Sequence, residues 1–423
     1  MNPKWQKTME VFEEYERRFA AARAKRTLSH PWEEADKKEI IEKTKAMLGW
    51  REELIPAIGE MEEISREEHG SYQVIQLRYR TWEHCYVSAS LYLPHSEKKL
   101  PLVTVCCGHG NMGRLTGSYM AMGHRLASIG LAALVLDNIG QGDRNLQPET
   151  FQNADHWLAI APFYCGLTLQ GMIVMETVAI IRHMQKDPRF DATRFGACGN
   201  SGGGTLALFL SALAPEISVL SSSGYPSEFS YLLAKERLHC ACNLLRGAAN
   251  GPDMWEIYST FAPKPLLLEG GAKDDLIPMD LAHRNARKVH NTYEQLGKGE
   301  NFEFELTATH HSWELEDINR ISRFLSERLL GKTPADAEVL YKAESVEAYH
   351  VPMPTEMLHT DDLAQAVTGI KMPEGTVLSD VFPATLNGER VDPDRLQLDV
   401  GRGDVMRVFA QFEITLEGDK KNG

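Results

Sequence analysis

The chain has 423 residues, of which 43% are hydrophobic and 25% are charged, and its formal net charge at pH 7 is −14. This length allows one large α/β domain with smaller additions, and the composition is that of an ordinary globular protein. The acidic balance disfavours a nucleic acid or an anionic membrane surface as partner. No run of 18 apolar residues occurs, so no membrane-spanning helix is predicted.

The cysteines and the N-terminal residues bear on the cellular compartment. The chain contains seven cysteines, an odd number, and several of them lie in apolar, strand-like runs, as reduced core residues do. Residues 1–26 are rich in charge and lack the apolar core of a signal peptide. We therefore expect a cytoplasmic protein with reduced thiols.

Three regions differ in their residue pattern. Residues 1–69 are rich in Glu, Lys, Arg and Ala with apolar residues at helical spacing, which predicts an N-terminal helical segment. In residues 70–331 apolar strand-like runs alternate with helical ones, which predicts an α/β catalytic domain whose mainly parallel sheet has helices on both faces. Residues 332–423 carry turn signals between short apolar runs, which predicts a small β-rich C-terminal appendage.

The predicted elements of the central region follow in chain order. Residues 72–80 and 85–93 alternate apolar and polar side chains, as a half-exposed antiparallel pair does. Buried strands are predicted at 101–107, 131–137, 194–198, 217–222, 265–269 and 301–307. Helices are predicted at 117–129, 167–185, 205–213, 279–297 and 314–330.

Residues 199–203 read Gly-Asn-Ser-Gly-Gly, a G-x-S-x-G pattern between a predicted strand and a predicted helix. A sharp strand-to-helix turn strains the serine backbone, and flanking glycines leave room for it. The hydroxyl is then lifted clear of the sheet at a helix N-terminus, where free N–H groups can stabilise an oxyanion. This context predicts that Ser201 is a nucleophile. A glycine-rich turn around a buried serine is the alternative, and it leaves the strand–turn–helix placement unexplained.

A serine nucleophile needs a base, and the base needs an acid that orients it. In a parallel α/β sheet these groups are expected on loops after later strands, in the order Ser, Asp, His. Asp274 and Asp275 follow the predicted strand 265–269, and His310 and His311 follow the predicted strand 301–307. The sequence therefore predicts a Ser–His–Asp triad.

Each of the two loops leaves an alternative open. Asp274 is favoured over Asp275 because it begins an Asp-x-x-Ile-Pro sequence. His311 is favoured over His310 because Ser-Trp follows it, a His-x-aromatic pattern at the start of the last predicted helix. His310 is then a possible pocket residue.

The oxyanion hole is expected from the N–H of Gly202 and a second N–H in the loop 108–113, which reads Gly-His-Gly-Asn-Met-Gly. Asn111 is assigned as the second donor, with Met112 in reserve and as a possible pocket residue. His109 is interpreted as structural, with a direct substrate contact as the alternative.

Three further segments carry residues that could form a pocket, a metal site or a cofactor site. His156 and Trp157 lie in a predicted loop over the sheet edge. They either line the pocket or pack against the protein, and the sequence leaves both alternatives open. A metal would need ligands beyond the compact sequence His239-Cys-Ala-Cys242, which cannot close a tetrahedral site alone. Residues 140–144 lack the third glycine of a dinucleotide-binding sequence. We expect neither a metal nor a cofactor.

Several segments together resemble a known family. They read Gly108-His-Gly, Asp137-Asn-Ile-Gly-Gln-Gly-Asp-Arg, Gly199-Asn-Ser-Gly-Gly-Gly-Thr, His239-Cys-Ala-Cys-Asn, Ala262-Pro-Lys-Pro-Leu-Leu-Leu, Asp274-Asp-Leu-Ile-Pro and His311-Ser-Trp. Over roughly residues 75–330 the chain resembles the acetyl xylan esterase and cephalosporin deacetylase group, with its dienelactone-hydrolase-like relatives, in the α/β-hydrolase superfamily.

The resemblance implies an α/β-hydrolase fold with Ser201 as nucleophile, Asp274 as acid and His311 as base. It also implies ester hydrolysis, often the deacetylation of sugars. One position departs from the pattern, because Gly202 stands where the best-studied deacetylases carry glutamine.

The expected function is hydrolysis of a carboxylic ester through an acyl-enzyme, with a small acyl group such as acetyl on a sugar or another small molecule. A C–C bond hydrolase or lactonase with the same triad is one alternative, and a non-catalytic assembly scaffold is another. The apolar stripes of residues 1–69 would need cover in a monomer, so a homo-oligomer, most simply a two-fold dimer, is expected.

Overall fold

A nine-stranded sheet forms the centre of the protein. The computed structural model describes residues 32–146, 159–234, 243, 245–248, 251–343 and 345–376, with the backbone of 384–386 and 389–391. The strands of the sheet are β1 Met61–Glu68, β2 Tyr72–Arg80, β3 Tyr86–Pro94, β4 Leu100–Cys106, β5 Ala132–Leu136, β6 Phe190–Asn200, β7 Ile217–Ser223, β8 Leu266–Gly271 and β9 Phe302–Thr307. Their spatial order is β1-β2-β3-β5-β4-β6-β7-β8-β9.

The sheet is mixed and mostly parallel. From β5 to β9 every neighbouring pair is parallel, whereas β1, β2, β3 and β5 pair antiparallel. The parallel strands β4 and β5 are buried along their whole length, as strands covered on both faces must be. The predicted α/β fold class with a mainly parallel sheet is confirmed.

Helices cover both faces of the sheet. They are α1 Glu34–Leu48, α2 Gly117–Ser128, α3 Ala161–Tyr164, α4 Leu169–Met184, α5 Gly202–Leu213, α6 Phe229–Ala234, α7 Met254–Ser259, α8 Met279–Gln295, α9 Leu315–Leu330 and α10 Thr360–Thr368. Side chains of α2 and α9 build one core layer, and those of α1, α4, α5, α7 and α8 contribute to the other. Among the helices described here, none is long and apolar enough to cross a bilayer.

The N-terminal region differs from the helical segment predicted for residues 1–69. Helix α1 lies in it, but residues 61–68 form strand β1, which pairs antiparallel with β2 from Met61 opposite Tyr79 to Glu68 opposite Gln73. β1 reads Met-Glu-Glu-Ile-Ser-Arg-Glu-Glu and has no buried residue. A charged strand fits the solvated edge of a sheet. Because an exposed helix is equally rich in charged residues, composition alone does not distinguish the two. Residues 1–31 lie outside the described part of the chain.

The C-terminal region also differs from its predicted β-rich structure. The part spanning 332–343 and 345–376 holds no strand, and its regular elements are a short 3₁₀ turn at Glu347–Tyr349 and helix α10. Two short strands, β10 Ala384–Leu386 and β11 Glu389–Val391, pair antiparallel as a separate ribbon. The other residues beyond 376 lie outside the described structure.

The stretch up to residue 376 packs on the catalytic domain. Arg114, fully buried, pairs with Asp137 and Asp143 and also donates a hydrogen bond to the carbonyl oxygen of Tyr349 at 2.5 Å. Asp143 in turn accepts the N–H of Val351 at 2.7 Å. The loops that follow β4 and β5 therefore hold the chain near residue 350 against the catalytic domain.

One carboxyl in the core lacks the partners that a buried charge requires. Glu269, on β8, is 1% exposed, and neither of its carboxyl oxygens has a hydrogen-bond partner among the residues the structure describes. Burial, reinforced by the negative charge of Asp317, raises the pKa of the Glu269 carboxyl well above its ordinary value. Above about pH 4.3 the unfolded chain loses this proton while the folded protein keeps it, so the free energy of unfolding falls as the pH rises.

We therefore expect Glu269→Gln to gain stability relative to the unmodified protein as the pH rises, because glutamine carries no proton to lose. Thermal melts from pH 5 to pH 8 should show the midpoint of the variant rising against that of the unmodified protein. Glu53→Gln, at an exposed position, is the control and should show a constant difference. A Glu269→Gln difference that stays constant with pH would contradict a protonated Glu269.

Candidate active site

Ser201 stands at the tip of a tight turn between β6 and α5. Its φ of 57° and ψ of −122° are disfavoured for a residue with a side chain. A Cβ atom at Gly199 would lie 2.1 Å from the carbonyl oxygen of Gly203, and one at Gly203 would lie 1.9 Å from that of Cys106. Only glycine fits at these two positions, so the turn closes tightly and presents the serine hydroxyl at the sheet edge.

Ser201, His311 and Asp274 form a hydrogen-bonded row. The Oγ of Ser201 lies 2.8 Å from Nε2 of His311, and Nδ1 of His311 lies 2.8 Å from Oδ2 of Asp274. The three residues follow β6, β9 and β8, so the row crosses the carboxyl ends of parallel strands. An imidazole that donates through Nδ1 to the carboxylate presents Nε2 as an acceptor for the serine O–H.

Asp274 is fixed by its own loop. Its Oδ1 accepts the N–H groups of Leu276 at 2.8 Å and Ile277 at 2.9 Å. Burial works to raise the pKa of Asp274, but the hydrogen bonds from His311 and from the two amides outweigh it and lower that pKa below its ordinary value. The carboxylate is therefore ionised at neutral pH. Asp275, the alternative, is exposed, and the row does not include it.

The two neighbouring histidines lie in different environments. The side chain of His311 is 16% exposed, and it lies within the row. The side chain of His310 is 67% exposed, and its Nδ1 contacts Oε1 of Glu314 at 3.0 Å. Trp313, which follows in the same loop, is buried and donates its indole N–H to Oγ of Ser223 at 2.6 Å. The geometry thus joins His311, and not His310, to Ser201.

The two predicted oxyanion donors lie on different segments, one at the start of α5 and one in the loop after β4. Gly202 is the first residue of α5, so its N–H has no acceptor within the helix. Asn111 and Met112 occupy the exposed tip of a turn closed by the N–H of Gly113 and the carbonyl oxygen of Gly110 at 3.0 Å. Both side chains are exposed there, and neither residue is among the described lining of the pocket around Ser201.

His109 is the residue of this loop that reaches the pocket around Ser201. Its ring lies against Gly202, where a Cβ atom would come within 2.6 Å of the ring atom Cε1. A glutamine at position 202 would need the space that the His109 ring fills. Glycine at position 202, where deacetylases carry glutamine, therefore makes room for the His109 ring in this protein.

A pocket opens beside the row. Beside Ser201 and His311, its described lining is formed by Tyr225, Leu232 and Ile277 together with polar groups of His109, Thr205 and Asn243. Sequence reasoning did not find Tyr225, Leu232, Thr205 or Asn243, because a pocket wall contributed by several loops leaves no local pattern.

The remaining sequence candidates lie outside the described residues. These are His156 and Trp157 for the pocket, and His239, Cys240 and Cys242 for a metal. Among the residues that the structure does describe, no group of three His, Cys, Asp or Glu side chains is arranged to hold a metal ion.

A mostly parallel sheet with a Ser–His–Asp row at its carboxyl edge, and with the serine on a strained strand-to-helix turn, defines an α/β-hydrolase. Residues 58–234 match the acetyl xylan esterase (AXE1) family. The matched segment contains Ser201 and the loop 108–113, and it ends before the loops of Asp274 and His311. The predicted resemblance to acetyl xylan esterases is confirmed, and the family match places this segment among the carboxylic ester hydrolases.

This chain is also similar to an individual bacterial protein. YtaP of Bacillus subtilis (strain 168), whose name places it among the hydrolases, is 24% identical over 188 residues, which are 44% of this chain and 61% of YtaP. The match thus spans about three fifths of that relative.

Two solved structures share the fold at low sequence identity. Methylesterase BT1017 has a TM-score of 0.64 at 18% identity, covering 84% of this chain and 78% of its own. A glucuronoyl esterase from Solibacter usitatus has a TM-score of 0.52 at 14% identity, covering 69% of this chain and 91% of its own. At these identities the likeness concerns the fold, and the predicted α/β-hydrolase architecture is confirmed.

Proposed function

We propose that the protein is a serine esterase that cleaves a carboxylic ester of small acyl size through an acyl-enzyme. The single observation that carries the proposal is the row in which Ser201 Oγ and Asp274 Oδ2 each lie 2.8 Å from a nitrogen of His311. A hydroxyl, a neutral imidazole acceptor and an ionised carboxylate in this order can move one proton twice in each half-reaction.

The reaction proceeds in two halves. As the Oγ–carbon bond forms, Nε2 of His311 takes the hydroxyl proton of Ser201, and Asp274 stabilises the imidazolium. His311 then passes this proton to the oxygen of the leaving alcohol as the C–O bond breaks. Water attacks the acyl-enzyme with His311 again as base, and the returned proton restores the Ser201 hydroxyl.

The negative oxygen of each tetrahedral intermediate needs two N–H donors. We assign these to Gly202, at the start of α5, and to the backbone of His109, the loop residue that lines the pocket beside Ser201. The N–H of Gly108 cannot serve, because it donates to the hydroxyl of Tyr119 at 2.6 Å.

The acyl group is proposed to be acetyl or similarly small, and the alcohol a sugar or another small molecule. Tyr225, Leu232 and Ile277 form an apolar wall in the described part of the pocket beside Ser201. Such a wall accepts a short chain and excludes a long one, because well-packed sites do not open for additional methylene groups. The match of residues 58–234 to acetyl xylan esterases supports the same choice.

The acyl preference is tested with p-nitrophenyl esters from acetate to octanoate. We expect kcat/KM to be highest for acetate and to fall at least about tenfold toward octanoate, since one unfavourable methylene group alone is worth about 10–200-fold. Ser201→Ala, assayed in parallel, identifies any contaminating esterase. A rising profile would contradict a small acyl pocket, and turnover of lactones with none of esters would favour the lactonase alternative.

Two expectations from the sequence stay predictions. These are the cytoplasmic location and the assembly into a homo-oligomer. Light scattering of the full chain measures the oligomeric state.

A further inference from the structure

The hydroxyl of Tyr119 joins two segments of the site that come from different strands. Tyr119 lies in α2 and is 5% exposed. Its oxygen accepts the N–H of Gly108 at 2.6 Å, and its O–H points to the carbonyl oxygen of Asn200 at 3.4 Å. Gly108 follows β4 and Asn200 ends β6, so a single hydroxyl spans the two strand ends that frame the nucleophile.

The two residues bound by Tyr119 are the direct neighbours of the reacting groups. Gly108 precedes His109, whose N–H is the proposed second oxyanion donor, and Asn200 precedes Ser201. A Cβ atom at Gly108 would lie 2.7 Å from the carbonyl oxygen of Asn200 and 3.1 Å from Cβ of Ser201. The loop and the turn therefore touch here, and the Tyr119 hydroxyl sits at that contact.

The ring of Tyr119 also reaches the segment that carries the base. It packs edge-on against Trp313, with ring centroids 5.5 Å apart at 75°. Trp313 follows His311 by two residues and donates its indole N–H to Ser223 Oγ at 2.6 Å. The loops of the oxyanion donor, the nucleophile and the base all meet at this one aromatic side chain.

We propose that Tyr119 is a positioning residue that fixes the backbone of residues 108–109 relative to Ser201. The oxyanion hole is then formed before substrate binds. The inference rests on the proposed function. Without the hydroxyl, the buried N–H of Gly108 has lost its acceptor, and the loop must move to find another. When an oxyanion donor is displaced, the transition state loses more stabilisation than the ground state does.

The test is Tyr119→Phe, with kcat and KM measured on p-nitrophenyl acetate. Complete loss of an oxyanion-hole donor costs about 10²–10³ in kcat, and we expect a displaced donor to cost about 10–100-fold with KM nearly unchanged. The dissociation constant of a trifluoromethyl ketone, which forms an oxyanion on Ser201, should rise by a similar factor. A role confined to stability would lower the melting temperature and leave this inhibitor's affinity unchanged.

Tyr92→Phe is the matched control. Tyr92 is fully buried in the same core layer, and its hydroxyl has no hydrogen-bond partner among the described side chains and backbone. Its removal should leave both kcat and the inhibitor constant as they are. Equal kcat values for Tyr119→Phe and Tyr92→Phe would overturn the inference.

A second variant covers the case in which Tyr119→Phe does not fold. Gly108→Ala places a Cβ atom 2.5 Å from the Tyr119 hydroxyl and 2.7 Å from the carbonyl oxygen of Asn200, so it forces apart the two segments that the hydroxyl joins. It should also lower kcat and weaken ketone binding, and wild-type values for both would overturn the inference. If the unmodified enzyme neither hydrolyses esters nor binds the ketone, both the proposed function and the inference fail. If the enzyme is active and the Tyr119→Phe variant is unaffected, the inference alone is rejected.

Discussion

Ser201→Ala is expected to lower kcat on p-nitrophenyl acetate by about 10⁴–10⁶, the range seen when a triad nucleophile is removed. The reason is that Oγ of Ser201 is the atom that Nε2 of His311 faces at 2.8 Å, and alanine offers no atom to attack the ester. The fold should persist, because alanine is smaller than serine at a position that is not fully buried. Steady-state kinetics and a thermal melt measure the two outcomes.

A buried serine on the strand beside β6 provides the control for this variant. Ser221, on β7, is fully buried, and its Oγ has no hydrogen-bond partner in the described structure. Ser221→Ala should therefore keep activity within about threefold, as expected when the lost hydroxyl makes no hydrogen bond to the described site residues. Ser201→Ala retaining more than about a tenth of the activity, with contaminants excluded, would show that another residue is the nucleophile.

The two adjacent histidines should differ by several orders of magnitude. His311→Ala removes the base of the row and is expected to cost about 10⁴–10⁶ in kcat, since members of a triad act as one unit. His310→Ala removes an exposed side chain that pairs with Glu314 at 3.0 Å, and activity should stay within about threefold.

These two variants share a loop, so they control for each other. Rates on p-nitrophenyl acetate should be accompanied by circular dichroism to show that both variants are folded. A folded His310→Ala with the larger loss would assign the base to His310, and equal losses would mean that the loop as a whole, rather than one imidazole, limits the reaction.

The parts of the site that were predictable from sequence are those specified locally. The turn around Ser201 needs glycine at 199 and 203 because backbone atoms come within about 2 Å of where a side chain would begin, so its pattern is contiguous in the chain. Asp274 is similarly recognisable, because its carboxylate accepts the N–H groups of residues two and three positions further on. The choice of His311 depended on the following Trp313, which is buried beside the turn.

What the sequence did not predict depends on contacts between distant segments. Asn111 is predicted as an oxyanion donor because the loop is rich in glycine, but the residue of loop 109–113 that lines the pocket beside Ser201 is His109. The linking hydroxyl of Tyr119 lies on a helix with no sign in its sequence of what it touches. The packing of residues near 350 depends on Arg114, 235 positions away in the chain.

Strand β1 was missed for a different reason. Its residues are charged and exposed on a sheet edge, where hydrogen bonds to β2, and not burial of side chains, determine the structure. A hydrophobic pattern cannot reveal a strand that buries no side chain.

The proposed reaction requires that Ser201 form a covalent bond with the substrate carbon, and an active-site label identifies the residue that forms this bond. The full chain is incubated with a fluorophosphonate, digested with trypsin and analysed by mass spectrometry with fragmentation of peptide 195–235. We expect one adduct per chain, located on Ser201, and a labelling rate that falls sharply in His311→Ala. An adduct on another residue, or an active enzyme that takes up no label, would contradict the proposed reaction.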